Sequence, residues 1–192
     1  MLLRAAYPQK TVYTAGPAAP DLAWIGPQQD VPAAAYKDAL VVVIDTANRS
    51  RIAGTYFGQS AMLIKIDHHL NEDQLGAISW VDTNASSASE MVWELVQHSK
   101  RLTLNQPAAA ALYAGMIGDT GRFLYDLTTA RTHLAAATCL RPALTHRRSA
   151  AAKTSFRKKS GDSSAGRWNM LKLRQTVPDH CSSRKKCCSN SA

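Results

Sequence analysis

Asp67-His68-His69 follows directly on the apolar run Ala61-Met62-Leu63-Ile64-Lys65-Ile66. A carboxylate and two imidazoles side by side offer oxygen and nitrogen ligands to a divalent ion. The run before them has the length and bounds of a buried strand, and in open α/β sheets ligands sit at the carboxyl ends of strands. The pattern repeats upstream, where Leu40-Val41-Val42-Val43-Ile44 also ends in an acid, Asp45. Two neighbouring strands that each deliver an acid predict one shared metal site. The plainer reading of Asp45 is a turn or helix-capping aspartate, common after strands.

The elements that must position these residues can be read from the same chain. Leu2 to Tyr7 reads as the last turns of a helix, closed by Pro8. Thr11 to Thr14 predicts a strand, and Pro27 and Pro32 act as breakers before the strand at 40–44. A third apolar run, Ala77-Ile78-Ser79-Trp80-Val81, ends at Asp82. Ser87-Ala88-Ser89-Glu90 has capping-box spacing, and the helix it opens places Met91, Leu95 and His98 on one stripe with Val92 and Val96 beside it. A second helix starts near Pro107 and stops at Gly118, so that Asp119 emerges from its end. Thr129 to Ala137 is helical in character as well. Strands alternating with helices predict an α/β fold: a mostly parallel sheet flanked by helices.

Three segments carry a resemblance. Asp67-His68-His69 after a strand, Val43-Ile44-Asp45-Thr46-Ala47-Asn48 upstream and Gly118-Asp119-Thr120-Gly121-Arg122-Phe123 downstream together resemble the DHH phosphoesterase superfamily. The likeness is to its nanoRNase and phosphoadenosine-phosphate phosphatase branch, relatives of the RecJ exonuclease, and runs from about Leu2 to Ala137. It implies metal-dependent hydrolysis of short oligoribonucleotides or phosphoadenosine phosphate, usually with manganese (Mn2+). In such enzymes Asp45 bridges two ions, and His68 and Asp119 ligate the second. His69 faces the substrate phosphate, orienting it or helping the leaving oxygen take a proton; its alternative is to hold His68 in place. Asp67 supports rather than ligates. Arg122 is either a phosphate clamp or a structural partner for an acid. Asn48 and Thr120 come after these, and Glu90 is the capping-box acid only. A cyclic-dinucleotide phosphodiesterase and a manganese pyrophosphatase are the alternative branches.

The chain departs from that family's pattern in two places. The family opens with a strand and a His-x-x-x-Asp-x-Asp segment, yet no histidine precedes His68, and Asp21, Asp30 and Asp38 lack that spacing. The expectation is a DHH catalytic domain missing its first βα unit. Of the first ion's ligands only Asp45 is kept, whereas the second keeps three. Residues 138–192 contain no counterpart of the family's Gly-Gly substrate domain. We therefore expect a chain truncated at both ends, with little or no turnover.

Composition marks the same boundary. The 192 residues carry a formal net charge of +9. Residues 1–137 hold 10 Lys+Arg and 12 Asp+Glu, a net of −2, which leaves 13 basic and 2 acidic residues, a net of +11, for 138–192. All four cysteines also lie in that last segment. Its high charge and low apolar content predict disorder, and a composition jump in mid-helix is what a shifted reading frame produces. Cys181, Cys187 and Cys188 lack the paired spacing of a zinc site. The basic runs could hold nucleic acid phosphates nonspecifically, which defines a non-enzymatic alternative. No run reaches the roughly 18–20 apolar residues of a membrane helix, no cleavable leader is evident, and the cysteine-free body predicts a cytoplasmic protein.

Overall fold

The computed structural model describes residues 1–16 and 20–144; of the tail predicted disordered over 138–192, the part from 145 onward, with Cys181, Cys187 and Cys188, lies outside them. Helix α1 (Leu2–Ala6) and the single turn α2 (Ala33–Tyr36) precede three strands, β1 (Leu40–Ile44), β2 (Met62–Asp67) and β3 (Ile78–Val81). Helices α3 (Ala88–His98), α4 (Gln106–Asp119) and α5 (Ala130–Leu144) follow. The strands form one parallel sheet in the order β1-β2-β3. The fold is α/β, a parallel sheet with helices, as the apolar runs predict. Thr11–Thr14 is not a strand: only an isolated bridge joins Ala15 to Gln29, since no neighbouring strand offers the segment a ladder.

Register matters more than strand count. Ile44 lies opposite Ile66, and Asp67 opposite Val81. The ladder continues past the strand ends, with Asp45 N–H donating to Ile66 O at 3.0 Å and Asp82 N–H to Asp67 O at 3.1 Å. The carboxyl ends of all three strands are therefore level, and their acids emerge side by side. Helices do not alternate with these strands. Two short 3-10 turns, Arg49–Arg51 and Phe57–Gln59, connect β1 to β2, and a short loop connects β2 to β3. Gly76 makes that loop possible: its φ is +81°, and a Cβ there would strike the Leu63 carbonyl.

Side chains alternate across β2. Ile66 packs with Ala85 and Met91 of α3, supported by Val42, Ile64 and Trp80. Lys65 and Asp67 take the opposite face, and both are fully buried. A second cluster fills the space among the three long helices: Trp93, Ala109, Leu112, Met116, Ala135, Ala136 and Cys139. The alanines of α4 and α5 let those helices approach closely. Burial pushes the Cys139 thiol up to about 11. Thus α5 runs to Leu144, beyond the compositional break after Ala137, and its residue 139 belongs to the core.

Two sequence-based expectations for the helices need correction. Leu95 and His98 of α3 are exposed, and the buried face is instead Glu90, Met91, Trp93 and Val96. Helix α4 passes through Gly118 and ends at Asp119; the left-handed residue is Gly121, at φ +55°. A glycine ends a helix only where the backbone turns left-handed, and Gly118 does not turn. Among the described residues no helix is long and apolar enough to cross a membrane.

Candidate metal centre

Asp45 follows β1 in a left-handed conformation, φ 62°, which aspartate tolerates better than most residues. His68 follows β2, and Asp119 is the last residue of α4. Three elements thus bring three predicted ligands together. His68 Nε2 lies 3.3 Å from Asp45 Oδ1 and 3.9 Å from Asp119 Oδ2. His68 Nδ1 is 3.3 Å from the Ala85 carbonyl. A carbonyl only accepts, so Nδ1 carries a proton, and Nε2 faces the two acids. The Asp45 hydrogen bond, opposed by burial, raises the His68 pKa above its ordinary value. Burial and then the Asp45 charge raise that of Asp119. A ring nitrogen flanked by two carboxylates is a position that either a proton or a cation can fill. The donor set suits a divalent ion held by mixed oxygen and nitrogen ligands.

His69 lies on the open side of this group, its side chain 43% exposed. Asp45, His68 and His69 offer donor atoms all within 4.8 Å of one another. Yet His69 Nδ1 donates to Asp67 Oδ1 at 2.8 Å, which leaves Nε2 as the free nitrogen of that ring. Asp119 is therefore the better third ligand than His69 Nδ1. The rings of His68 and His69 meet edge to face, 4.5 Å between centroids. Asp67 accepts from the backbone N–H of His68 at 2.9 Å and of His69 at 3.3 Å. Burial pushes its carboxyl up, but the His69 and Lys65 contacts together hold it below the usual range.

The remaining predicted residues separate. Arg122 is exposed with φ 65°, in a left-handed turn shared with Gly121 and Phe123. It makes no ion pair among the described residues, which bears against its reading as a partner for an acid. Asn48 Nδ2 donates to Glu72 Oε2 at 2.7 Å. The Thr120 hydroxyl donates to Met116 O at 2.6 Å and accepts from Phe123 N–H at 2.9 Å, so it shapes the turn. Ser87 Oγ caps α3 by accepting from Glu90 N–H at 3.0 Å, but Glu90 does more than belong to a capping box. Its buried carboxylate accepts from Ser86 Oγ at 2.5 Å, from Thr132 Oγ1 at 2.6 Å and from Arg131 Nε. Two residues with a bearing on the site escape the sequence reading. Ala85 orients His68 through a carbonyl, which no side-chain pattern reveals. Lys65 left one sign, a lone cation inside a buried-strand run.

The model of the DHH family, N-terminal domain, matches residues 2–116. The chain belongs to the DHH family. It is 47% identical over 135 residues to a Streptococcus mutans protein named "Probable bifunctional oligoribonuclease and PAP phosphatase NrnA", covering 70% of this chain and 43% of that one. It is 46% identical over 133 residues to the Bacillus subtilis "Bifunctional oligoribonuclease and PAP phosphatase NrnA", covering 68% and 42%. The DHH chain thus spans less than half the length of these curated relatives. The crystal structure of an exopolyphosphatase-related protein from Bacteroides fragilis superposes with a TM-score of 0.62 at 22% identity, over 71% of this chain and 45% of that one. That likeness establishes the fold.

Proposed function

We propose that this chain carries part of the active site of a metal-dependent phosphoesterase acting on short oligoribonucleotides and phosphoadenosine phosphate. The observation that carries the proposal is the convergence of Asp45 and Asp119 on Nε2 of His68. Asp45, His68 and Asp119 would hold Mn2+. When bound, such an ion makes a coordinated water more acidic and neutralises phosphoryl charge. His69 is the catalytic candidate: Asp67 fixes its ring, and its free Nε2 can orient a substrate phosphate or hold the proton that the leaving oxygen takes. Arg122 is the substrate-binding candidate, a guanidinium held out from a fixed turn. A body whose one described cysteine, Cys139, is a free buried thiol suits a cytoplasmic location.

The described residues gather donors for one ion, whereas the family's chemistry uses two. We therefore expect the 192-residue chain to bind metal but turn substrate over slowly. The test is Mn2+ binding followed by electron paramagnetic resonance, on the unmodified chain and on Asp45→Asn, His68→Ala and Asp119→Asn. Each variant is expected to bind about tenfold or more weakly, and unaltered binding in all three would sink the assignment. A panel of dinucleotide, phosphoadenosine phosphate, cyclic dinucleotide and pyrophosphate then reads the substrate. Dinucleotide turnover matching a full-length relative would overturn the expected impairment, and preference for either of the last two would move the chain to another branch.

A further inference from the structure

We propose that Lys65 is a positioning residue of the metal centre, setting the spacing between the loop that carries Asp45 and the loop that carries His68 and His69. The inference rests on the metal reading above and concerns a residue outside its ligand set.

Lys65 lies in β2 and is fully buried. An ammonium taken out of water must be paired and hydrogen-bonded, and well-packed apolar residues of similar volume often serve stability as well as a buried ion pair. Packing alone therefore does not explain this lysine; the directions of its bonds do. Nζ donates to Ala47 O at 3.0 Å and to Asn71 Oδ1 at 3.0 Å, with Asp73 O at 3.5 Å. Ala47 stands two residues after Asp45, and Asn71 stands two after His69. The ammonium thus joins both ligand-bearing loops from beneath. Two exposed contacts join the same loops from outside: Asn48 to Glu72, and Arg49 N–H to Asp73 Oδ2 at 2.6 Å.

The fourth neighbour is Asp67, whose Oδ2 lies 3.3 Å from Nζ. That oxygen is buried and accepts no aligned hydrogen bond, so the lysine charge is what balances it. The other oxygen, Oδ1, holds the His69 ring. Lys65 therefore restrains Asp45 through the Ala47 carbonyl and His69 through Asp67.

Lys65→Met alone strands the buried Asp67 charge and risks unfolding, so the comparison is between Asp67→Asn and the double variant Lys65→Met/Asp67→Asn. Both are made in the full 192-residue chain. Melting is followed by circular dichroism without metal, and Mn2+ affinity by electron paramagnetic resonance. Asp67→Asn itself strands the buried Lys65 charge, so we expect the double variant to melt no lower than it, with Mn2+ binding about tenfold or more weaker. A purely structural lysine would move the melting and spare the affinity. Affinities equal within about twofold, set against the tenfold expected, overturn the role of Lys65 while leaving the metal site standing. Absence of Mn2+ binding by the unmodified chain overturns both readings. Should the double variant not fold, Asn71→Ala takes its place: it removes one acceptor at an exposed position, and it too must weaken Mn2+ binding for the proposal to survive.

Discussion

At the scale of residues, three consecutive left-handed positions after Asp119 stand out: Gly121, Arg122 and Phe123, with φ of 55°, 65° and 66°. Left-handed backbone costs an L-residue about 1–2 kcal/mol, so the turn needs compensation. Thr120 supplies it, accepting through its hydroxyl from Phe123 N–H and through its carbonyl from Leu124 and Tyr125 N–H. Gly121 is the one residue of the three without that cost, and a Cβ there would meet the Tyr125 ring at 2.5 Å. Gly121→Ala should lower stability by about 2 kcal/mol, measured by urea unfolding; an unchanged midpoint would show that the turn relaxes freely. The convergence of Asp45 and His68 was legible because both follow apolar runs that read as adjacent strands. Lys65 was not, because its partners Ala47 and Asn71 come from loops whose approach depends on strand register.

Elements show where sequence patterns carry less. The continuous apolar runs of β1 and β2 identify strands of a parallel sheet directly. The expected stop of α4 at Gly118 falls short of its end at Asp119, because the glycine that turns left-handed is Gly121. Glu90 looks like a capping-box acid because its spacing from Ser87 is correct, while its true partners lie some forty residues away in α5. Arg131 bonds Glu90 and also reaches Asp82 Oδ2 at 3.3 Å and Glu94 Oε2 at 3.4 Å. This network ties α5 to α3 and to the loop holding Ala85, the partner of His68. Glu90→Ala should cost about 3 kcal/mol, since the buried donors of Ser86 and Thr132 lose their acceptor. A loss under about 1 kcal/mol, the worth of an exposed pair, would show that Arg131 and water carry the tie.

For the whole molecule, acid sensitivity follows from the carboxylates. Asp67 and Asp82 have depressed folded pKa values. For Asp67 the His69 and Lys65 contacts outweigh burial; for Asp82 the Asn84 backbone bond and Arg131 do so. A depressed pKa contributes stability above the ordinary carboxylate value, about 4, and that contribution is lost as pH falls through the folded value. Asp119, raised by burial and Asp45, has the opposite sign: it detracts at neutral pH and recovers as it protonates. Melting without metal should therefore fall below about pH 4, while added Mn2+ should raise it at neutral pH; a flat acid profile would contradict the ion-pair account. Charge segregation yields a separate expectation. If the +11 segment alone bound RNA, affinity would drop steeply with salt and vanish on removing residues 138–192. Cutting after Ala137 should also lower the melting temperature, because Cys139 is part of the core.

Cys139 makes α5 its own timekeeper. A thiol without solvent exposure and titrating near 11 is almost entirely protonated at neutral pH and out of reach of an alkylating reagent. With Cys181, Cys187 and Cys188 replaced by serine, the rate at which one remaining sulfur is alkylated, read by mass spectrometry, becomes the rate at which this helix lifts from its neighbours. Arg131 and Thr132 begin the same helix and grip Glu90, so loosening there would slacken the scaffold behind His68. Slower labelling in saturating Mn2+ would show that an ion held at the end of the sheet quiets a helix that supplies none of its ligands.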